Sequence, residues 1–168
     1  MYKIANTFKL RRKKYPIYNA LNRMYTLETH TFTIKTKGNT SLTDITGQVQ
    51  DKLNTSGFAE GNVLIFVSGS TAGITTIEYE PGLLKDYPAF FEKLVPSNQR
   101  YHHDETWHDG NGHSHVRASL QGASFTVPFS HGRLLLGTWQ QIILIDFDTH
   151  PRQREVIVQL NGIKKNEK

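Results

Sequence analysis

The chain has 168 residues, enough for one domain with its own core and too few for an eight-stranded α/β barrel, which takes about 200 or more. It contains no cysteine, which excludes disulfides, thiolate metal centres and a cysteine nucleophile, and suits a reducing cytosol or a thermophile equally. No apolar run approaches the roughly 18 residues that span a bilayer, and Met1 to Asn22 lack the apolar stretch of a signal peptide, so a cytoplasmic protein without membrane contact is expected.

The net charge of +5 is unevenly carried, because Lys9, Arg11, Arg12, Lys13 and Lys14 fall within six positions. Residues 1–23 therefore read as a basic N-terminal extension, expected to be flexible, with a basic arm for nucleic acid as the alternative. Without them 13 basic residues face 15 acidic ones, so residues 24–168 form a nearly neutral single domain and nucleic-acid binding is not expected.

From Tyr25 to Lys37, His30, Phe32 and Ile34 alternate with Thr31, Thr33 and Lys35, the period of a half-buried strand. Leu42, Ile45, Val49 and Leu53 then recur at helical spacing, with Thr43 or Asp44 as cap and Gly57 as a left-handed stop. Val63 to Val67 and Ile74 to Tyr79 read as strands. Pro81 to Leu94 reads as a second helix, kinked or restarted at Pro88 and stopped by Pro96. The segment 101–115 reads as an ordered loop, followed by a short helical turn at Val116 to Leu120. Ser124 to Phe129, Leu134 to Leu136, Trp139 to Phe147 and Glu155 to Leu160 complete the strands. The fold class expected is α+β, a mostly antiparallel, β-sandwich-like sheet with a few packed helices.

Five of the eight histidines, His102, His103, His108, His113 and His115, lie within fourteen residues. Imidazole is a common nitrogen ligand, and on an extended backbone His113 and His115 would point to one side. With His103 or His108 closing the set and water as a fourth ligand, three nitrogens would form an open site for a divalent metal, zinc or magnesium. Asp104, Asp109 and Asn111 are available to orient those rings or to add oxygen ligands. Solvated histidines, or histidines packed at a subunit contact, are the alternative.

Ser68 to Gly73 links two strands through small residues, and its backbone N–H groups with the Ser70 and Thr71 hydroxyls could cradle a phosphate, although a plain turn reads as well. Arg117 is a candidate phosphate clamp. Trp139 and Gln140 offer a stacking surface and an amide edge for a flat heterocycle, against the commoner role of a core Trp.

Together, Phe66 to Glu78 with its Ser-Thr-Ala core, Tyr101-x-His103-Asp104, Asp109-Gly-Asn-Gly-His-Ser-His115-Val-Arg-Ala-Ser-Leu, Gly122-x-Ser124, Val127-Pro128, and Gly132-Arg-Leu to Gly137-Thr-Trp-Gln140 resemble the YjbQ-like family, often labelled secondary thiamine-phosphate synthase. The resemblance covers about residues 25–162. It implies a compact α+β subunit in a homotrimer with sites near subunit contacts. The implied activity is a weak or secondary one, a transferase step of thiamine biosynthesis that joins hydroxymethylpyrimidine pyrophosphate to thiazole phosphate. His103, Asp104 and His115 match recurring polar positions and would carry catalysis with Asn111. Asn111 and His113 belong to a subgroup with the longer Asp-Gly-Asn-Gly-His-Ser-His form. Ser70, Thr71, Arg117, Trp139 and Gln140 would bind the small phosphorylated substrate, and His103, His113 and His115 the metal. One departure is Gly69, where many members carry His. A trimeric metal- or anion-binding protein without this activity is the competing reading.

Overall fold

The computed structural model describes residues 25–165. The expectations for residues 1–23 lie outside it.

Alternation of threonine with larger residues makes β1 (Tyr25–Lys35) a strand whose Phe32 and Ile34 face the core while Thr29, Thr31 and Thr33 face outward. After a tight turn, β2 (Ser41–Asp44) precedes α1 (Thr46–Ser56). Leu42, expected as the first helical position, belongs instead to this short strand. The reason is Asp44, whose Oδ1 accepts the Thr46 N–H at 2.8 Å and so starts the helix two residues further on. Gly57 ends α1 in the left-handed region, as its position after the apolar period predicts.

β3 (Phe58–Ser68) and β4 (Ala72–Ile77) follow, then α2 (Leu83–Leu94), which carries Pro88 within it. The segment expected as a loop holds two helices instead, α3 (Asp104–Trp107) and α4 (Gly112–Gln121). β5 (Ser124–Ser130), β6 (Arg133–Leu134), β7 (Gln141–Asp146) and β8 (Gln153–Lys164) complete the chain.

All pairings are antiparallel and form a five-stranded sheet in the order β1-β8-β3-β5-β6 and a three-stranded sheet in the order β2-β7-β4. This is the α+β architecture expected. The apolar run Ile142-Ile143-Leu144-Ile145 of β7 is buried on both faces. Ile142 and Leu144 pack with α1 and the five-stranded sheet, whereas Ile143 and Ile145 pack with Phe91 of α2, Ala118 of α4 and Phe147. β7 is thus the middle layer between the larger sheet and the helices, and its C-terminal end delivers the next residues into the gap between them. Among the described residues no helix is long and apolar enough to cross a membrane.

Candidate functional site

At that end of β7 the chain gathers charge. Asp146, fully buried, receives two N–H groups of Arg154, Nε at 2.9 Å and Nη2 at 2.6 Å, together with the Thr36 hydroxyl. Asp148, also buried, accepts from Thr71 Oγ1 at 2.9 Å and from Arg152 Nε at 2.9 Å. Two carboxylates and two guanidiniums therefore balance inside a polar network, the arrangement that makes buried charge tolerable. Burial pushes the Asp148 carboxyl up, but the bonds from Arg152 and Thr71 prevail and hold it at about 2. Thr71 also accepts from Arg154 Nη2 at 2.7 Å. Its hydroxyl is committed to this network and is not free to cradle a phosphate, which corrects the expectation for Thr71. Ser70 beside it is exposed.

The histidine segment lies against this network. Asp104, in the first turn of α3, accepts the Gly112 N–H at 3.0 Å and ties α3 to the start of α4. His103 and His115 consequently face each other, ring centroids 4.2 Å apart and planes inclined by 42°. His103 Nε2 is buried without a hydrogen-bond partner and stands 3.8 Å from Asp109 Oδ1. Burial and the neighbouring His103 lower the basicity of His115, while Asp109, Asp148 and Asp104 act in the opposite sense. That Asp148 is felt at His115, and Asp109 at Arg152, places the histidine pair and the charged network within one electrostatic neighbourhood. Asn111 at the start of α4 is buried, its Oδ1 unpartnered.

His113 does not join this pair. On a helix, residues two apart diverge by roughly 200°, so the His-x-His clip expected from an extended backbone is not formed. His113 turns instead toward Tyr101, ring centroids 6.0 Å apart, and Tyr101 is anchored by its hydroxyl donating to the Pro96 carbonyl at 2.6 Å. Among the described residues no three His, Cys, Asp or Glu side chains are arranged to hold a metal ion, so the set His103, His113 and His115 does not fit one.

Arg117, one turn beyond His113, is buried and already engaged. It donates to the Val95 carbonyl through Nε at 3.0 Å and Nη2 at 2.7 Å, to Thr40 Oγ1 through Nη1 at 3.0 Å, and to Glu92 Oε2 through Nη2 at 2.6 Å. It fastens α4 to the end of α2 and is not a free phosphate clamp. Glu92 is held at about 2, first by the Ser97 N–H and then by Arg117. These residues with Asn39, Thr40, Pro88, Ala89, Ser97 and His113 line a cleft of about 350 Å³.

Trp139 and Gln140 stand just before the other end of β7, seven and six positions from Asp146 along the chain, with the strand between them spanning roughly 17 Å. Trp139 is 68% exposed, and Gln140 folds back to accept the Gly137 N–H at 2.8 Å. Within one chain they do not meet the histidines. Sequence reasoning missed Asp146, Asp148, Arg152, Arg154 and Glu92. A usable signal existed in Asp146-Phe147-Asp148 and Arg152-Gln153-Arg154, two like-spaced charge pairs of opposite sign flanking a turn.

A family model described as UPF0047 protein YjbQ-like matches residues 30–163. A UPF0047 protein of Archaeoglobus fulgidus is 41% identical over 127 residues, covering 76% of this chain and 96% of that protein. The UPF0047 protein YugU of Bacillus subtilis is 37% identical over 134 residues, covering 79% and 98%. Among solved structures, a hypothetical protein of Aeropyrum pernix superposes with a TM-score of 0.75 at 35% identity, covering 80% of this chain and 98% of that one. A YbjQ-like protein of unknown function from Sulfolobus solfataricus gives 0.73 at 32% identity, covering 82% and 99%.

Proposed function

This chain belongs to the UPF0047 YjbQ-like family, and from that premise and its paired histidines we propose that it is an enzyme acting on small phosphorylated substrates. The observation that carries the reading is the close contact of His103 with His115, one ring nitrogen unpartnered, beside the Asp148–Arg152 pair. Two imidazoles in contact, each able to donate a ring N–H, next to a half-exposed guanidinium suit the stabilisation of a departing phosphate.

The specific reaction proposed is that of a thiamine phosphate synthase. The thiazole nitrogen attacks the pyrimidinylmethyl carbon, a C–N bond forms, the C–O bond to pyrophosphate breaks, and pyrophosphate leaves with the electron pair. No proton moves at the nitrogen, so the demand on the protein is stabilisation of the charge building on the leaving group, for which the Arg152 guanidinium and the ring N–H donors of His103 and His115 are the groups at hand. At Gly69, the position at which the resemblance places His in many members, a Cβ would sit 2.9 Å from Arg154 Nη1. A divalent metal belongs to the proposal only as a two-nitrogen centre on His103 and His115, with ligand oxygens completing it. Assembly as a homotrimer is likewise part of it, supported by the exposed apolar side chains of Tyr25, Leu27, Trp107 and Trp139.

The test is turnover of hydroxymethylpyrimidine pyrophosphate with thiazole phosphate by the purified protein, read as pyrophosphate release, with metal analysis alongside. His103→Ala and His115→Ala are each expected to lower kcat about 100-fold or more while the protein stays folded. Absence of turnover in the parent would instead favour the trimeric metal- or anion-binding protein.

A further inference from the structure

We propose that the cleft lined by Asn39, Thr40, Glu92, Ser97, His113 and Arg117 is a second binding site, taking a neutral planar ligand that presents a hydrogen-bond donor beside an acceptor, the edge of a carboxamide or of an amino-substituted nitrogen heterocycle. Its volume of about 350 Å³ lies in the range of small-molecule sites. It is distinct from the His103–His115 pair, because His113 and His115 leave α4 on different sides.

The ligand's polarity follows from the hydrogen bonds the protein leaves open. The Ser114 hydroxyl donates to the Phe147 carbonyl at 2.6 Å, so toward the His113 ring Ser114 Oγ is an acceptor. His113 Nε2, 3.3 Å away, therefore carries the ring proton, and Nδ1 keeps a lone pair. That Nδ1 is buried on a side chain only 5% exposed, and nothing among the described residues donates to it. Buried polar atoms are nearly always paired, so this one calls for an external donor. Arg117 has the opposite deficit: four of its five N–H groups are used by Val95, Thr40 and Glu92, and one on Nη1 has no acceptor among the described residues. A ligand edge with adjacent donor and acceptor supplies both.

Charge selects against an anion. Glu92 already neutralises Arg117 at 2.6 Å. A phosphate would meet the Glu92 carboxylate with no unpaired cation to offset it. Pro88 and Ala89 give the wall an apolar stretch on which a ring face can rest. The opposite rim is fixed in an unusual backbone: Gly38, Asn39 and Thr40 have φ of 69°, 51° and 58° in succession. A β-branched residue is rarely found there. Thr40 is held by Arg117, and Asn39 donates its N–H to the Asp148 carbonyl at 2.6 Å. Strain of this kind concentrates at binding sites, where a rim set in advance spares the ligand the cost of ordering it.

The test is titration of the full chain with nicotinamide as carboxamide and with adenine and cytosine as aminoheterocycles, inorganic phosphate serving as control. The readouts are the ring nitrogen resonances of His113 and calorimetry, neither of which depends on turnover at the other site. At least one organic probe is expected to bind saturably and shift Nδ1 toward its hydrogen-bonded value, while phosphate does not. Which class binds identifies the source of the edge. Ala89→Phe, a change at an exposed position of α2 that fills the cleft, is expected to weaken binding at least tenfold with Tm unchanged. No saturable shift with any organic probe, equal binding of phosphate, or undiminished binding to Ala89→Phe would overturn the proposal.

Discussion

Asp148 is a carboxylate 2% exposed, and it answers to acid in a calculable way. Its pKa is about 2 in the folded chain against an ordinary aspartate value of 3.8, a gap worth about 2 kcal/mol. Because the folded value is the lower one, that stability is complete above pH 4 and is lost as the pH falls toward 2. Urea unfolding of Asp148→Asn is expected to show a lower starting stability and a shallower acid slope than the parent between those limits. His113 and His115 are also lowered, so the unfolded chain takes up their protons first. Their contribution is present above about pH 6.5 and declines below it. Substituting His115 by Gln is expected to reduce the fall in Tm between pH 7.5 and pH 5. Arg154 carries the largest single stake, since its loss leaves Asp146 buried and unpaired. Arg154→Met is expected to cost about 3 to 5 kcal/mol in denaturant unfolding.

At the level of elements, α4 is where sequence and structure part most. Its buried face is made of His113, Ser114, Arg117 and Ala118, so an apolar period of 3.6 has almost nothing to register. What docks the helix is polar: Ser114 to the Phe147 carbonyl, Arg117 to Val95, Glu92 and Thr40. Ser114→Ala is accordingly expected to destabilise the protein by about 1 to 3 kcal/mol, measured by chemical unfolding, although the side chain is tiny. Helix α1 is the contrary case. Val49 and Leu53 are buried at the spacing the sequence displays, and Leu53→Ala is expected to cost about 2 to 5 kcal/mol. Strands β1, β3, β5, β7 and β8 were legible for the same reason, because alternation or an unbroken apolar run writes burial directly into residue type. The site was only half legible. The pairing of His103 with His115 depends on which way two short helices carry their side chains, and that is decided by long-range contacts such as Asp104 to Gly112. The charged network needed residues from four separate segments, Thr36, Thr71, Asp146 to Asp148 and Arg152 to Arg154, which no local pattern joins.

On the scale of the whole molecule, three layers with β7 at the centre bring the ends of β1 and β7 and the starts of β4 and β8 to one place, and the polar network sits there. The larger sheet ends on β1, eleven residues long and paired on one side by β8; among the described residues no strand pairs its outer side. The average strand is about half that length. Thr26 apart, the outer edge of β1 therefore offers a row of N–H and C=O groups that no described strand takes up, flanked by the exposed Tyr25 and Leu27. Such a row is a template for further strands, and the rate at which copies find one another on it grows faster than their concentration. A colloidal consequence follows from a feature of secondary structure: Leu27→Lys, at a position 60% exposed, is expected to slow the onset of light scattering in concentrated solution while leaving the unfolding transition where it was.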